Sequence, residues 1–192
     1  MSAFTIGLGV AILSLKKDIK LEAAEKIALD FQNRTKDLYR KCTIAGSIRR
    51  RKPVVHDIDF AVLPSGRNFE VWKKKVTNRV EEIGGRVISF GETIADFSYR
   101  GAQVNLFLCA DPDAWGVTLM WATGPKGHTI GMTIKARDRG LIINSKGLWT
   151  REEPARLIKT RTEEDVGRAL GWKYKPPEAR GEKQSEQRWL EG

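Results

Sequence analysis

The sequence predicts an α/β (α+β) fold: a mixed sheet with flanking helices packed mainly on one face, followed by a smaller C-terminal domain. Three observations point there. Apolar positions alternate with period two in Ala102–Ala110, where Val104, Leu106 and Leu108 oppose Gln103, Asn105, Phe107 and Cys109. Helical spacing marks Leu21–Tyr39, with Leu21, Ala24, Ile27, Ala28, Phe31 and Leu38 near one face. Helices and strands interleave along the chain, with Gly and Pro stops between them.

Taken in order, the apolar run Ala3–Leu13 is too short to span a bilayer, and Lys16 and Lys17 follow it rather than precede it. It reads as a packed first element, most simply a helix. The Leu21–Tyr39 helix leads to a strand over Cys42–Ala45 and a Gly46-Ser47 turn. A second strand, Asp57–Leu63, stops at Pro64-Ser65-Gly66. Phe69–Ile83 is amphipathic, with Val71, Trp72, Val76, Val80 and Ile83 predicted inward and Lys73, Lys74, Lys75 and Arg79 outward; Gly84-Gly85 ends it. Strands follow at Arg86–Phe90, Ile94–Tyr99 and Ala102–Ala110. Asp111-Pro112-Asp113 opens a short helix, Ala114–Thr123, broken by Gly124-Pro125-Lys126-Gly127. Thr129–Arg139 is helical, Leu141–Asn144 and Leu148–Thr150 are strands, and Thr162 caps a last helix with an acidic first turn, ending at Gly171. The tail from Pro176 is polar and expected to be loose, with Trp189-Leu190 able to dock. Domain boundaries are expected at 1–111, 112–180 and a tail at 181–192.

The chain has 192 residues, with Lys plus Arg 34 against Asp plus Glu 24, a formal charge of +10. That excess favours a polyanionic partner, nucleic acid first. Cys42 and Cys109 sit in apolar runs and read as buried thiols, as suits a reducing compartment. His56 and His128 are the only histidines, so a zinc site is not expected. An intracellular location, cytoplasmic or nucleoid-associated, is expected, with no membrane partner.

The chemistry concentrates between 44 and 63. Asp57 and Asp59 project on one side of a strand with Ile58 on the other. Two such carboxylates repel unless a cation sits between them, and Mg²⁺ is held by one or two carboxylates plus substrate phosphate oxygens. Gly46 allows close backbone approach, Ser47 can donate to an anion, and Arg49, Arg50 and Arg51 offer guanidinium forks for phosphate. Carboxylates for metal and donors for a triphosphate on one scaffold read as a nucleotidyl-transfer site.

The composite of Gly46-Ser47, Arg49-Arg50 and Asp57-x-Asp59 resembles the nucleotidyltransferase signature of family X DNA polymerases, the group that includes DNA polymerase beta. Trp121-Ala122-Thr123-Gly124, Arg139-Gly140-Leu141 and the run from Thr162 through Gly171 to Glu178 extend the resemblance. It implies a minimal palm-plus-thumb member without the amino-terminal lyase domain. Its expected activity is DNA-directed DNA synthesis on a primer 3′-hydroxyl, in gap-filling repair, using deoxynucleoside triphosphates. DNA as primer-template or gapped duplex is the implied partner, two Mg²⁺ ions the implied cofactor with Mn²⁺ able to substitute, and a monomer the expected state.

Residue by residue, the resemblance assigns Asp57, Asp59 and the position of Asn105 to catalysis and metal binding. It assigns Gly46, Ser47, Arg50, Trp121, Thr123 and Gly124 to the nucleotide, with His56, where the family has Gly, beside the triphosphate. Lys126, His128, Thr133 and Arg137 are assigned to DNA. Three departures stand out. Asn105 replaces the third carboxylate, which impairs metal binding and removes a base. Thr129 and Thr133 replace an Asn and an Arg that read nucleotide and template. Ala122 replaces the second aromatic of the pair that screens the sugar. Two rivals follow: an inactive module that binds DNA or nucleotide, and a nucleotidyltransferase acting on RNA ends.

Overall fold

The computed structural model describes residues 17–66 and 68–181. The apolar N-terminal run and Trp189-Leu190 lie outside the described residues. The elements are β1 (Ile19–Lys20), α1 (Leu21–Thr35), β2 (Tyr39–Ile44), α2 (Gly46–Arg49), β3 (Val54–Val55), β4 (Ile58–Pro64), α3 (Phe69–Glu82), β5 (Arg86–Phe90), β6 (Ile94–Tyr99) and β7 (Ala102–Leu108). Then come α4 (Trp115–Thr123), α5 (Lys126–Asp138), β8 (Leu141–Asn144), β9 (Gly147–Thr150), β10 (Leu157–Ile158) and α6 (Glu163–Leu170).

The main sheet has the order β2-β4-β7-β6-β5. It is mixed: β4 and β7 run parallel, and the other neighbours antiparallel. Ile58, Phe60 and Val62 of β4 and Val104, Leu106 and Leu108 of β7 point to one face, where α1 and α3 add Ala24, Ala28, Phe31, Trp72, Val76 and Val80. This is the larger core. Trp72, Val76 and Val80 stand four residues apart, so they form one stripe. Val71, expected inward, is 52% exposed, because it lies one residue off that stripe.

The other sheet face is covered in part. Ala61 and Leu63 of β4, with Cys109 just past β7, meet Ala114, just before α4, and Trp115, Leu119 and Ala122 along it. The opposite side of α4, Val117 and Met120, packs with Met132, Ala136, Ile143, Leu148, Val166 and Leu170 in a third cluster. Thus α4 is shared between the main sheet and the C-terminal α5, β8-β9-β10 and α6 unit. Among the described residues, no helix is long and apolar enough to cross a membrane.

The tail begins later than expected. Pro177 and Arg180 are buried, and Arg180 donates to Glu163 and to the Lys175 carbonyl. Helix α5 starts at Lys126 rather than Thr129, since Pro125 occupies the extended position just before a first turn. The two-residue strands β1, β3 and β10 carry no periodicity of their own, and only pairing with another segment defines them.

Candidate functional site: the cleft beside Asp59

Strand alternation and α4 together position the site. On the α4 side of the sheet, Ala61 and Leu63 are covered, while Asp59, one pleat earlier, lies at the edge of the cover. Its neighbour in register on β7 is Asn105. The cleft beside Asp59 holds about 420 Å³ and is lined by Arg50, Asp59, Ala122, Thr123, Gly124, Pro125, Lys126 and Gly127. Asp57 is half-buried immediately before β4.

The Gly46-Ser47 turn presses on the first of these groups. Ala45 N–H donates to the Asp59 carbonyl at 2.7 Å, and Gly46 has φ +56. A Cβ at Gly46 would lie 2.0 Å from Asp59 Oδ2. Only glycine fits there, both for the backbone conformation and for the space. Ser47 Oγ is buried without a hydrogen-bond partner, so this hydroxyl has an unused donor.

The three consecutive arginines diverge. Arg49 makes a bidentate pair with Glu163, Nη1 to Oε1 at 2.8 Å and Nη2 to Oε2 at 2.7 Å, and donates to Thr123 Oγ1 at 2.7 Å. Arg50 Nη1 donates to the Thr123 carbonyl. Arg51 turns outward to pair with Glu25. Glu163 is 4% exposed and also accepts from Arg180 at 3.0 Å, whose side chain is fully buried, and from Tyr174 Oη at 3.4 Å. Burial raises the Glu163 pKa, but the Arg49 hydrogen bonds and the Arg180 charge outweigh it and hold the carboxyl below its ordinary value. Arg49, Glu163, Arg180 and Tyr174 thus join α2 to α6 and the C-terminal segment. The sequence showed Glu163 only as an acidic first-turn residue; its distance of 114 positions from Arg49 leaves no local signal.

Asn105 is 7% exposed and donates from Nδ2 to Asp59 Oδ1 at 2.8 Å. Gln103, on the same face of β7, donates from Nε2 to Asn105 Oδ1 at 2.9 Å. Gln103 was legible only as one member of the strand's alternation. Across the sheet, Asp96 on β6 is in register with Asn105, but its carboxylate accepts from Ser89 Oγ at 2.6 Å, on β5.

Two expected site residues are corrected. His128 cannot touch DNA as a surface residue: it is 6% exposed and stacks on Trp172, with ring centroids 4.5 Å apart. Burial, aided by the nearby Arg180 charge, pushes its pKa down to about 3, so it is a neutral core ring. Trp121 does not line the cleft; it packs against the α4–α6 cluster, on the same helix face as Val117 four residues earlier. Ala122 stands in the cleft wall instead. Of the others, Lys126 is exposed at the cleft and Thr133 and Arg137 are exposed on α5, while His56 Nδ1 lies 3.1 Å from Asp18.

The residues fit a cation–phosphate ligand in part. Asp57 and Asp59 supply hard oxygens, and the unpartnered Ser47 hydroxyl and the Gly46 cradle supply the anion side. No group of three or more His, Cys, Asp or Glu that could hold a metal occurs among the described residues, so a cation here would need further oxygens from outside this set.

Comparison with known proteins decides the fold. The family model of the DNA polymerase beta thumb matches residues 118–181. The crystal structure of Leishmania infantum polymerase beta, a ternary P/T complex, superposes with a TM-score of 0.72 at 17% identity, over 88% of this chain and 78% of that one. The chain thus shares the polymerase beta-like fold, and its residues 118–181 match the thumb of that family. No curated protein matches it in sequence. The polymerase beta-like fold agrees with the mixed sheet read from the sequence, and the thumb model matches from within α4 through α6 to residue 181.

Proposed function

We propose that the chain is a nucleotidyltransferase of the family X polymerase type that acts on a DNA primer 3′-hydroxyl, in gap filling. The observation that carries this reading is the convergence of Asp59, Arg50 and Thr123 on one cleft, with Gly46 packed against Asp59 and the buried donor Ser47 in the same turn. In this reading Ser47 and the α2 turn bind the β- and γ-phosphates of a deoxynucleoside triphosphate. Asp57 and Asp59 hold Mg²⁺, or Mn²⁺ in its place, together with the phosphates. Bound there, the cation would neutralise phosphate charge and orient the transferred group. Thr123, Gly124 and Ala122 form the wall beside the sugar, and Lys126 at the cleft and Arg137 on α5 face the nucleic acid. The low wall at Ala122 predicts weak discrimination against ribonucleotides.

One observation favours the rival reading of a module that binds nucleotide and DNA without extending: residue 105 offers an amide where a base would be needed. Primer extension on one-nucleotide-gapped DNA with Mg²⁺ or Mn²⁺ separates the two. Extension by this chain, raised by Asn105→Asp by on the order of 10²- to 10⁴-fold, supports a polymerase. If neither form extends while both bind gapped DNA, the polymerase reading fails and the binding module replaces it. RNA primers in the same assay test transfer to RNA ends.

A further inference from the structure

Asp59 and Asn105 are direct neighbours on parallel strands. An ionised carboxylate has no proton to give, so a hydrogen bond at Asp59 must be donated to it. The contact at Oδ1 therefore comes from the amide nitrogen of Asn105, which turns the amide oxygen away from Asp59. That oxygen meets the Gln103 side chain, which donates to it. The chain from Gln103 through Asn105 to Asp59 is satisfied at each step. Turning Asn105 over would set its oxygen against the Asp59 carboxylate and its N–H groups against those of Gln103, so both amides would have to turn together.

A divalent ion shared between Asp59 and residue 105 needs oxygen lone pairs from both. This geometry presents N–H instead. Nor does the sheet supply a substitute at that point: the acid in register with Asn105, Asp96, is engaged by Ser89 on the far strand. A primary amide in this place does part of what a cation does. It puts partial positive charge against the carboxylate, fixed by the strand register and by Gln103, with no ion to bind or lose.

We propose that this is a one-cation centre, in which the Asn105 amide, oriented by Gln103, fills the place of a second divalent ion at Asp59. The single ion would sit with the nucleotide phosphates on Asp57 and Asp59, and that half of the proposal rests on the nucleotide-binding reading above. The amide-for-cation half does not, and it departs from the two-ion expectation drawn from the family resemblance. Gln103 is on this view a positioning residue, acting through Asn105.

The test counts ions on the full chain. Mn²⁺ binding is followed by electron paramagnetic resonance with a non-hydrolysable deoxynucleoside triphosphate analogue, for this chain and for Asn105→Asp. One Mn²⁺ in the unaltered chain and two in the variant is the expected result. Two in the unaltered chain overturns the proposal. Thermal melting without nucleotide gives a second readout. Asn105→Asp sets two carboxylates side by side, so it should melt several degrees below the unaltered chain in EDTA and recover with Mn²⁺, while the unaltered chain shows no comparable gain. A variant melt that ignores Mn²⁺ overturns the proposal whatever the nucleotide does. An absence of nucleotide binding beside a Mn²⁺-responsive variant supports the amide-for-cation exchange and sinks the nucleotide reading alone.

Discussion

At the scale of single residues, Gly46 and His128 carry predictions of opposite kinds. Gly46 holds a left-handed backbone against the side chain of Asp59. Gly46→Ala adds both conformational strain and a clash, and Asp59 has to leave its Asn105 contact to relieve it. We expect a loss of about 1–3 kcal/mol by denaturant unfolding, together with loss of Mg²⁺–nucleotide binding; a variant that keeps both would show that the turn does not position Asp59. His128 acts through the proton it does not bind. Its pKa is about 3 in the folded chain, against an ordinary value near 6.5 in the unfolded one. The unfolded chain therefore binds the extra proton first as pH falls. Stability is fully present above about pH 6.5 and declines through the window down to about 3, by on the order of a few kcal/mol. Glu163 has a depressed pKa as well, but its contribution is lost only below its unfolded value of 4.5. Melts between pH 7.5 and 5 thus isolate the histidine. His128→Phe keeps a ring against Trp172 and should flatten the profile across that window; an unchanged slope would move the cause elsewhere.

At the scale of elements, the molecule is tied by the contact of α2 with α6. Glu163→Ala leaves Arg180, fully buried, and Arg49 without their shared carboxylate. Removing one partner of a buried ion pair typically costs about 3–5 kcal/mol, because the remaining charge stays desolvated. The same loss is expected here by denaturant unfolding, and a cost below about 1 kcal/mol would mean that water reaches the arginines. This tie also shows which features a sequence can disclose. Strands β5 and β6 span the ranges expected for them, and the Thr162 cap of α6 is present with Asp165 completing a capping box. Those are local patterns. The Gly-Ser turn and the Asp-x-Asp pair were legible as well, because their chemistry sits within a dozen positions. The role of Glu163, the burial of Arg180, the pinning of Asn105 by Gln103 and the facing of Trp121 were not. Each depends on which distant segment lies opposite, and α4, apolar nearly all round, gives no period that would assign its two faces.

At the scale of the whole molecule, the excess of positive charge is the property that the local site does not explain. Arg49 and Arg180 are spent on Glu163, Arg34 on Asp30, Arg79 on Asp37 and Arg161 on Asp113. The formal charge of +10 is the net over the full chain, because one-to-one pairs cancel and the Arg49–Arg180–Glu163 group keeps one positive charge. A polyanion is the partner this field selects, and its contribution is measurable apart from catalysis. Every phosphate neutralised by a Lys or Arg releases counterions, so log K falls linearly with log salt concentration. A grip on about five phosphates gives a slope of about −4.5 on duplex DNA. The unaltered chain and Asn105→Asp should share that slope, because the substitution changes the centre and not the basic surface. Lys126→Ala, at the cleft mouth, should reduce it by about one and weaken binding to all sequences alike. Fluorescence anisotropy with labelled gapped duplex between about 50 and 200 mM salt reads these slopes. A slope near zero would remove nucleic acid as the reason for the charge, even if nucleotide binding at Asp59 survived.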